Sequence, residues 1–167
     1  MTETNPFRAV DDYARKLAYD LIASATFGAL AVNRPDTGLP SVSRIALAMA
    51  PDGLPMTLIS ALADHTRALT AYPNCAILVG EPGDTGDPLT HPRLTLHAQA
   101  GFVVPGTPEH FDLRDSYLSQ RPKAKLYVDF SDFRFVRFAV TDALLNGGFG
   151  KAWRLAPEDI RADQRTT

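Results

Sequence analysis

The sequence predicts an α+β domain made mainly of β-strands, arranged as a small antiparallel β-barrel with flanking helices. Six or seven short apolar segments follow one another along the chain, several with two-residue alternation. Most are joined by short turns rich in Pro, Gly and Asp, as antiparallel strands usually are. Helical patterns occur near the start, after the third strand and before the last long strand. This segregation of helices from strands favours a barrel over a parallel α/β sheet.

The chain of 167 residues is 45% hydrophobic and 22% charged, which is sufficient for one domain with a full core. We expect residues 1–167 to form a single domain, with loose termini at residues 1–6 and 157–167. A net charge of −2 argues against a nucleic-acid-binding protein. Cys75 is the only cysteine, which excludes an intrachain disulfide and a cysteine-based zinc site. No apolar run approaches the ~20 residues of a membrane-spanning helix, so we expect a soluble cytoplasmic protein.

In the first half, apolar residues at helical spacing predict an amphipathic helix over residues 8–23. Residues 27–32 (FGALAV) predict a strand that enters a turn at 33–40. Residues 41–50 and 55–60 predict a hairpin around the turn tripeptide at 51–53. A helix then runs from about residue 64 to 71, with Asp64 as its predicted N-cap and Pro73 beyond its end.

In the second half, residues 75–80 predict a short buried strand, and residues 81–92 predict a loop rich in Gly, Pro and Asp. Residues 93–104 predict a long strand. A helix is expected over 108–120, with Pro108 in its first turn, and a second helical segment over 122–128. The alternating residues 133–140 predict a half-exposed strand, 143–145 lead into a glycine-rich segment, and 152–155 predict a last short strand.

The junction between the second hairpin strand and its helix is a candidate anion-binding site. His65 and Thr66 lie in the first helical turn, where free N–H groups and the positive end of the helix dipole favour a phosphate. Arg44 lies among small residues of the preceding strand and could neutralise such an anion. The alternatives are ordinary capping by Asp64 and a solvent-facing Arg44, and the residues alone leave both open.

The remaining motifs are weaker indications of a functional site. The run Gly147–Gly150 allows close backbone approach to a ligand, with Phe149 available for stacking, although an isolated motif of this kind is more commonly a glycine-rich connection between strands. The histidines show no metal-ligand spacing, and there is no phosphate-binding loop or dinucleotide fingerprint. We predict no metal site, and no residue is assigned as a general acid or base.

Five segments in order resemble the pyridoxamine 5′-phosphate oxidase-like flavoproteins, most of all their haem-utilisation branch. They are LISALADHTRAL, YPNCAILVGEPG, HPRLTLHAQA, RPKAKLYVDFSDFRFVRFAV and GGFGKA. The resemblance implies a split β-barrel that forms a homodimer, with FMN bound between the subunits and a small-molecule substrate.

The resemblance also implies roles for individual residues. Arg44 matches the strand arginine that holds the FMN phosphate, and His65 and Thr66 match the phosphate-binding start of the helix. Ile59 and Ser60 match the strand that passes along the flavin. Arg93 begins a strand that can reach the flavin of the other subunit in such dimers.

At several positions this chain lacks residues that are usual in the oxidase and in related flavin binders. Met49 replaces a substrate-binding lysine, and no Arg-x-His follows near residues 153–155, so we do not expect oxidation of pyridoxamine phosphate. Ala68 and Ala98 replace an asparagine and a glycine that are usual in related flavin binders. We expect an FMN-binding flavoprotein, an oxidoreductase acting on an unknown small substrate. The alternatives are a haem-binding or haem-degrading protein, with His91, His97 or His110 as axial ligand, or a non-enzymatic flavin-binding dimer.

Overall fold

The computed structural model describes residues 5–161. Within this range the chain forms four α-helices and eight strands. The helices are α1 (Asp12–Ser24), α2 (Asp64–Ala71), α3 (Pro108–Gln120) and α4 (Pro157–Ile160). The strands are β1 (Phe27–Asn33), β2 (Pro40–Ala46), β3 (Ala48–Met49), β4 (Pro55–Ser60), β5 (Asn74–Val79), β6 (Arg93–Phe102), β7 (Phe133–Asn146) and β8 (Ala152–Leu155). None of these helices is long and apolar enough to cross a membrane.

All eight strands belong to one antiparallel sheet. The strand order is β2-β1-β5-β6-β7-β4-β3, and β8 pairs with β7 beside this path. Strands β2 and β3, at opposite ends of that order, are separated in sequence only by Leu47. The sheet therefore curls until its two ends meet through one continuous stretch of chain. This curled, mainly β architecture confirms the predicted α+β barrel with flanking helices.

The predicted strand over residues 41–50 is interrupted at Leu47. The side chain of Leu47 is buried in the core, and its backbone N–H donates to the carbonyl of Thr26 at 3.0 Å. Its carbonyl turns outward and accepts from Nε and Nη2 of Arg121, at 2.9 and 2.6 Å. Apolar periodicity does not show such a bend, because the bend depends on a guanidinium that is distant in sequence.

Helix α1 begins later than the predicted residue 8. Asp11 is its N-cap, and the carboxylate accepts from the backbone N–H of Ala14 at 2.8 Å. The buried face of α1 consists of Ala14, Ala18 and Ile22, which pack into the main core inside the curled sheet. A second, smaller core lies under α3 and includes Tyr117 and Phe135.

Strand β7 is a single strand of 14 residues, where the sequence predicted two separate pieces. A β-bulge interrupts its pairing with β6: His97 pairs with Asp142, and the next residue, Ala98, pairs with Val140. Thr141 is the extra residue. Since a bulge shifts the side-chain alternation, the strand changes face there without ending.

The carboxyl-terminal part differs from the expected loose tail. Residues Pro157–Ile160 form α4, and Ile160 is fully buried in the main core. Asp159 fastens this helix by accepting from Nε of Arg15 at 2.9 Å. The prediction was therefore wrong for residues 157–160, while residues 1–4 and 162–167 lie outside the described range. The predicted helix over 122–128 is a shorter 3₁₀ turn, Pro122–Leu126.

Candidate functional site

Two side chains meet where β2 passes the start of α2. The Oγ atom of Ser43 lies 3.0 Å from Nδ1 of His65, and both residues are half-buried. Burial lowers the pKa of His65, and the nearby carboxylate of Asp64 raises it in part. The imidazole is therefore neutral around pH 7, so one of its nitrogens can accept a hydrogen bond.

The N-terminus of α2 carries no side-chain cap. Its N-cap is Ala63, and the predicted N-cap, Asp64, is instead the first helical residue. The Asp64 carboxylate is exposed and lies 3.5 Å from Arg67. The backbone N–H groups of Thr66 and Arg67 donate to the carbonyl of Ala63 at 3.1 and 3.3 Å, which leaves those of Asp64 and His65 as the candidates for binding an anion. The arrangement suits a bound anion better than the predicted cap would have allowed.

Ser60 and Thr66 brace the same junction. The Thr66 hydroxyl donates to the carbonyl of Ser60 at 2.6 Å, and the Ser60 hydroxyl donates to Oδ2 of Asp132 at 2.9 Å. Ile59 is buried, and its side chain packs into the main core. These three residues thus hold β4 against α2, and their predicted cofactor contacts stay predictions.

Arg44 lies on the opposite side of β2 from Ser43. Ser43 and Ile45 face inward, whereas Val42, Arg44 and Ala46 are exposed. The guanidinium carbon of Arg44 lies 5.0 Å from the centroid of the Phe27 ring, within the range of a cation–π contact. Within one chain, the structure therefore does not direct Arg44 to the start of α2, and the two halves of the predicted anion site are separated by the strand.

We define the outer face as the outward side chains of six neighbouring strands. It comprises Val42, Arg44 and Ala46 of β2; Phe27, Ala29 and Ala31 of β1; Ala76 and Leu78 of β5; Arg93, Thr95 and His97 of β6; Asp142, Leu144 and Asn146 of β7; and Ala152 and Arg154 of β8. Its centre is made of small and apolar side chains. Val42 is 67% exposed and Leu78 43% exposed, so this apolar surface is open.

The cations of the outer face lie towards its edges. Arg44 and Arg154 are at the two ends of one row across the sheet. The strand register connects them through Ala29, Leu78, Thr95 and Leu144. The guanidinium carbon of Arg154 lies 5.1 Å from the ring of Phe7. A ligand on this face would meet apolar atoms at its centre and guanidinium groups towards two edges.

His97 is the one imidazole of the outer face as defined above. Its Nδ1 lies 2.8 Å from Oδ1 of Asp142, directly across the strand pair. Both side chains are about two-fifths exposed, at 40% and 41%. A cavity of about 280 Å³ adjoins His97 and is also lined by Ala31, Ala76 and Cys75. His97 is among the candidate ligands predicted from the sequence, whereas no sequence pattern indicates Asp142.

Arg93 begins β6 after the 81–92 loop, and Phe149 lies in the β7–β8 hairpin. Nη1 of Arg93 donates to the carbonyl of Leu89 at 3.1 Å. Phe149 is 80% exposed at the tip of the β7–β8 hairpin. Gly148 has a φ of +113°, and a Cβ there would lie 3.0 Å from the carbonyl oxygen of Thr90, so the hairpin and the 81–92 loop approach closely. Strand β6 lies three strand spacings from β2, about 14 Å, so Arg93 and Arg44 do not form one pocket in a single chain.

The remaining reactive groups offer little catalytic chemistry. Burial raises the pKa of the Cys75 thiol to about 11, which keeps it protonated at neutral pH. A separate cavity of about 430 Å³ is lined by Arg137, which is hydrogen-bonded to Asp52 and to Glu109. Two carboxylates neutralise that guanidinium. Within residues 5–161 no group of three or more His, Cys, Asp or Glu residues is placed to hold a metal ion.

Comparison with known proteins agrees with this architecture. No protein-family model matches the chain. A stretch of 101 residues is 40% identical to the chloroplastic haem oxygenase HOZ of Arabidopsis thaliana, covering 60% of this chain and 29% of that protein. A solved structure with 39% identity superposes with a TM-score of 0.83 over 92% of this chain and 99% of its own.

Two further structures extend the comparison. The haem-binding protein of Mycobacterium smegmatis is 29% identical, with a TM-score of 0.80, over 90% of this chain and 61% of its own. A Clostridium acetobutylicum protein related to general stress protein 26, of the pyridoxinephosphate oxidase family, shares the fold at 13% identity, with a TM-score of 0.67 over 90% of this chain and 99% of its own. The chain thus spans less than two thirds of both named haem-related relatives. The chain therefore shares the split-barrel fold of the pyridoxinephosphate oxidase family protein, and its sequence is similar to haem-related proteins of this fold.

Proposed function

We propose that the protein binds haem on its outer face and acts in haem utilisation. The observation that carries this proposal is the composition of that face, in which small and apolar side chains lie between Arg44 and Arg154. Similarity to two relatives, a haem oxygenase and a haem-binding protein, supports the same ligand.

The donor set of the outer face fits haem. A porphyrin ring could pack against the apolar surface formed by Ala29, Ala76 and Leu78. A guanidinium group at one edge of the face, Arg44 or Arg154, can pair with the carboxylates, which haem carries along a single edge. His97 adds an imidazole, the commonest protein ligand of haem iron. When bound, haem supplies the redox chemistry of its iron, and the chain's own residues orient the group and exclude water from one side of it.

The test is a titration of the purified protein with haemin, followed by the Soret absorption. Wild-type protein is expected to bind with saturation. Ala29→Glu places a carboxylate at the centre of this apolar surface. We expect at least a tenfold loss of haemin affinity, because the charge would be desolvated against the porphyrin ring. Ala23→Glu, at an exposed position of α1 away from the outer face, is the matched control and should retain wild-type affinity. Equal affinities of the two variants would overturn the placement.

A second candidate ligand, FMN, is favoured by a different observation, the uncapped start of α2 beside Ser43 and His65. A phosphate there would accept from the free helical N–H groups and from the Ser43 hydroxyl. The resemblance adds Arg44, which on this geometry would have to approach from the other side of β2. The flavin, when bound, supplies hydride and electron transfer, while these residues hold its phosphate.

FMN binding is tested by equilibrium dialysis, read from flavin absorption. Ser43→Ala should weaken binding by about 1.5–3 kcal/mol, the usual contribution of a hydrogen bond to a charged group. Ser119→Ala, whose hydroxyl makes only a local contact on α3, is the control. Retention of FMN by the Ser43 variant at the wild-type level would exclude this subsite.

We also propose that the protein forms a homodimer in which a second copy covers the outer face and leaves the cofactor between the two. The open apolar side chains of Val42 and Leu78 support this proposal, because monomeric proteins rarely leave such surfaces contiguous.

A further inference from the structure

We propose that His97 binds the haem iron through Nε2, and that Asp142 is the positioning residue that holds its ring. This inference rests on the proposed function, because it assigns the iron ligand within the same outer face. Its basis is the geometry of one cross-strand pair and the hydrogen bonding of the four histidines of the chain.

The Asp142 carboxylate determines which nitrogen of His97 is available. An ionised carboxylate only accepts hydrogen bonds, so at 2.8 Å the Nδ1–H of His97 donates to Oδ1. The lone pair then resides on Nε2, for which no hydrogen-bond partner is found within residues 5–161. Histidines that ligate metals usually donate their other N–H to a carboxylate or carbonyl in this way, which fixes the tautomer and increases basicity.

The bulge in β7 creates the pair. Because Thr141 is an extra residue, Asp142 shifts onto the same face as His97 and lies directly opposite it. The Thr141 hydroxyl donates to the backbone carbonyl of His97 at 3.2 Å, which anchors the bulge. Bulges often occur next to functional sites, where they redirect a side chain.

The other histidines are less suited to bind iron. The Nδ1 of His91 accepts from the N–H of Gly83, and its Nε2 contacts the carbonyl of Thr85, so both nitrogens are engaged. His110 has its Nδ1 buried without a partner, and its ring packs against Phe135. His65 faces Ser43 on the inner side of β2, away from the outer face.

The space around His97 is compatible with a large planar ligand. Its row across the sheet contains Ala76, Ala31 and Val42, which are small or exposed and apolar. The adjoining cavity of about 280 Å³ leaves room beside the ring. An imidazole that points outward from such a surface can reach an iron atom of a ligand lying on it.

The experiment uses the full chain and haemin, with absorption and resonance Raman spectra as readouts. His97→Ala should lose the histidine-ligated Soret spectrum and bind haemin at least tenfold more weakly, and added imidazole should restore the ligated spectrum. Asp142→Asn should still bind haemin but show a lower iron–histidine stretching frequency in the ferrous state, with a 10–100-fold weaker affinity. A structural role for Asp142 alone would not move that frequency. His91→Ala is the control and should match wild type.

The outcomes separate the two proposals. If wild-type protein does not bind haemin, the proposed function fails. If wild type binds and His97→Ala has the same ligated spectrum, only the assignment of the ligand is overturned. The same holds if His110→Ala, and not His97→Ala, abolishes ligation. Since His97 and Asp142 are both partly exposed, circular dichroism is expected to show folded variants.

Discussion

At the scale of single residues, His65 links folding to pH. Burial lowers its pKa below the usual value near 6.5, because the half-buried site disfavours the charged ring. The unfolded chain therefore binds a proton more readily than the folded one. By linkage, this group leaves stability unaffected above the unfolded pKa of about 6.5 and reduces it as pH falls towards and through the folded pKa.

We therefore expect the free energy of unfolding of wild-type protein to fall more steeply between pH 7 and 5 than that of His65→Gln. Urea denaturation at several pH values measures both slopes. His91→Gln is the control, since His91 lies in a loop and makes exposed contacts. A His65 variant with the wild-type slope would contradict the assignment. Bound phosphate should favour the charged ring, so it is expected to reduce the difference between the two proteins.

Only some of the residues at the start of α2 could be predicted from the sequence. His65 was predicted in the first turn of a helix because the periodicity and Pro73 locate α2 well. Its partner Ser43 was not predicted, since the pair joins residues 22 positions apart and depends on how β2 passes α2. Asp64 was assigned as the cap because of its residue type, whereas the backbone places Ala63 there.

At the scale of elements, the carboxyl-terminal turn of α3 closes the exposed edge of the sheet. Gln120 accepts from the backbone N–H of Met49 at 2.8 Å and donates to its carbonyl at 2.8 Å, as a neighbouring strand would. Arg121 binds the carbonyl of Leu47 beside it. An edge strand of two residues is protected in this way from pairing with other chains.

Gln120→Ala is expected to lower the free energy of unfolding by about 1–2 kcal/mol, because two backbone hydrogen bonds are lost at a partly solvated edge. Ser119→Ala, which removes only a local hydroxyl contact on the same helix, should change it by less than about 0.5 kcal/mol. Guanidinium denaturation measures both. Equal stabilities would show that α3 contributes nothing to the strand edge.

Element prediction from sequence succeeded where local patterns are sufficient and failed where distant residues act. Helix α3 was predicted with its observed bounds, since Thr107 caps it and Pro108 opens it. The break at Leu47 depends on Arg121, and the continuity of β7 through Thr141 depends on pairing with β6. Helix α4 was missed because it has only four residues and is held by burial of Ile160.

At the scale of the whole molecule, the outer face collects residues from six strands between Phe27 and Leu155. Alternation predicts that neighbouring residues of a strand face opposite sides, but it does not show which strands are adjacent. Placing Arg44, His97 and Arg154 on one face of the sheet therefore required the strand order. The family resemblance supplied the fold, while this chain's own register brought Asp142 opposite His97.

The proposed dimer gives the prediction at this scale. Leu78 lies at the centre of the outer face, and replacing it with Glu puts a charge on both sides of the proposed interface. Each copy would lose the free energy gained by burying one leucine side chain, about 1.5 kcal/mol or more. Because the interface contains two copies, the dissociation constant of the dimer should rise at least a hundredfold. Light scattering coupled to size exclusion should therefore give a dimer for wild type and a monomer for Leu78→Glu. Leu126→Glu, a change at a leucine that is 79% exposed on the 3₁₀ turn outside this face, should remain dimeric.

The oligomeric state also bears on ligand binding. If the cofactor lies between two copies, Leu78→Glu should weaken haemin binding together with dimerisation, and raising the protein concentration should restore part of both. A wild-type protein that is monomeric at all concentrations yet binds haemin through His97 would contradict the dimer while leaving the ligand assignment intact. In that case one copy of the outer face would be sufficient to hold the haem, and the apolar side chains of Val42 and Leu78 would be covered by the ligand alone.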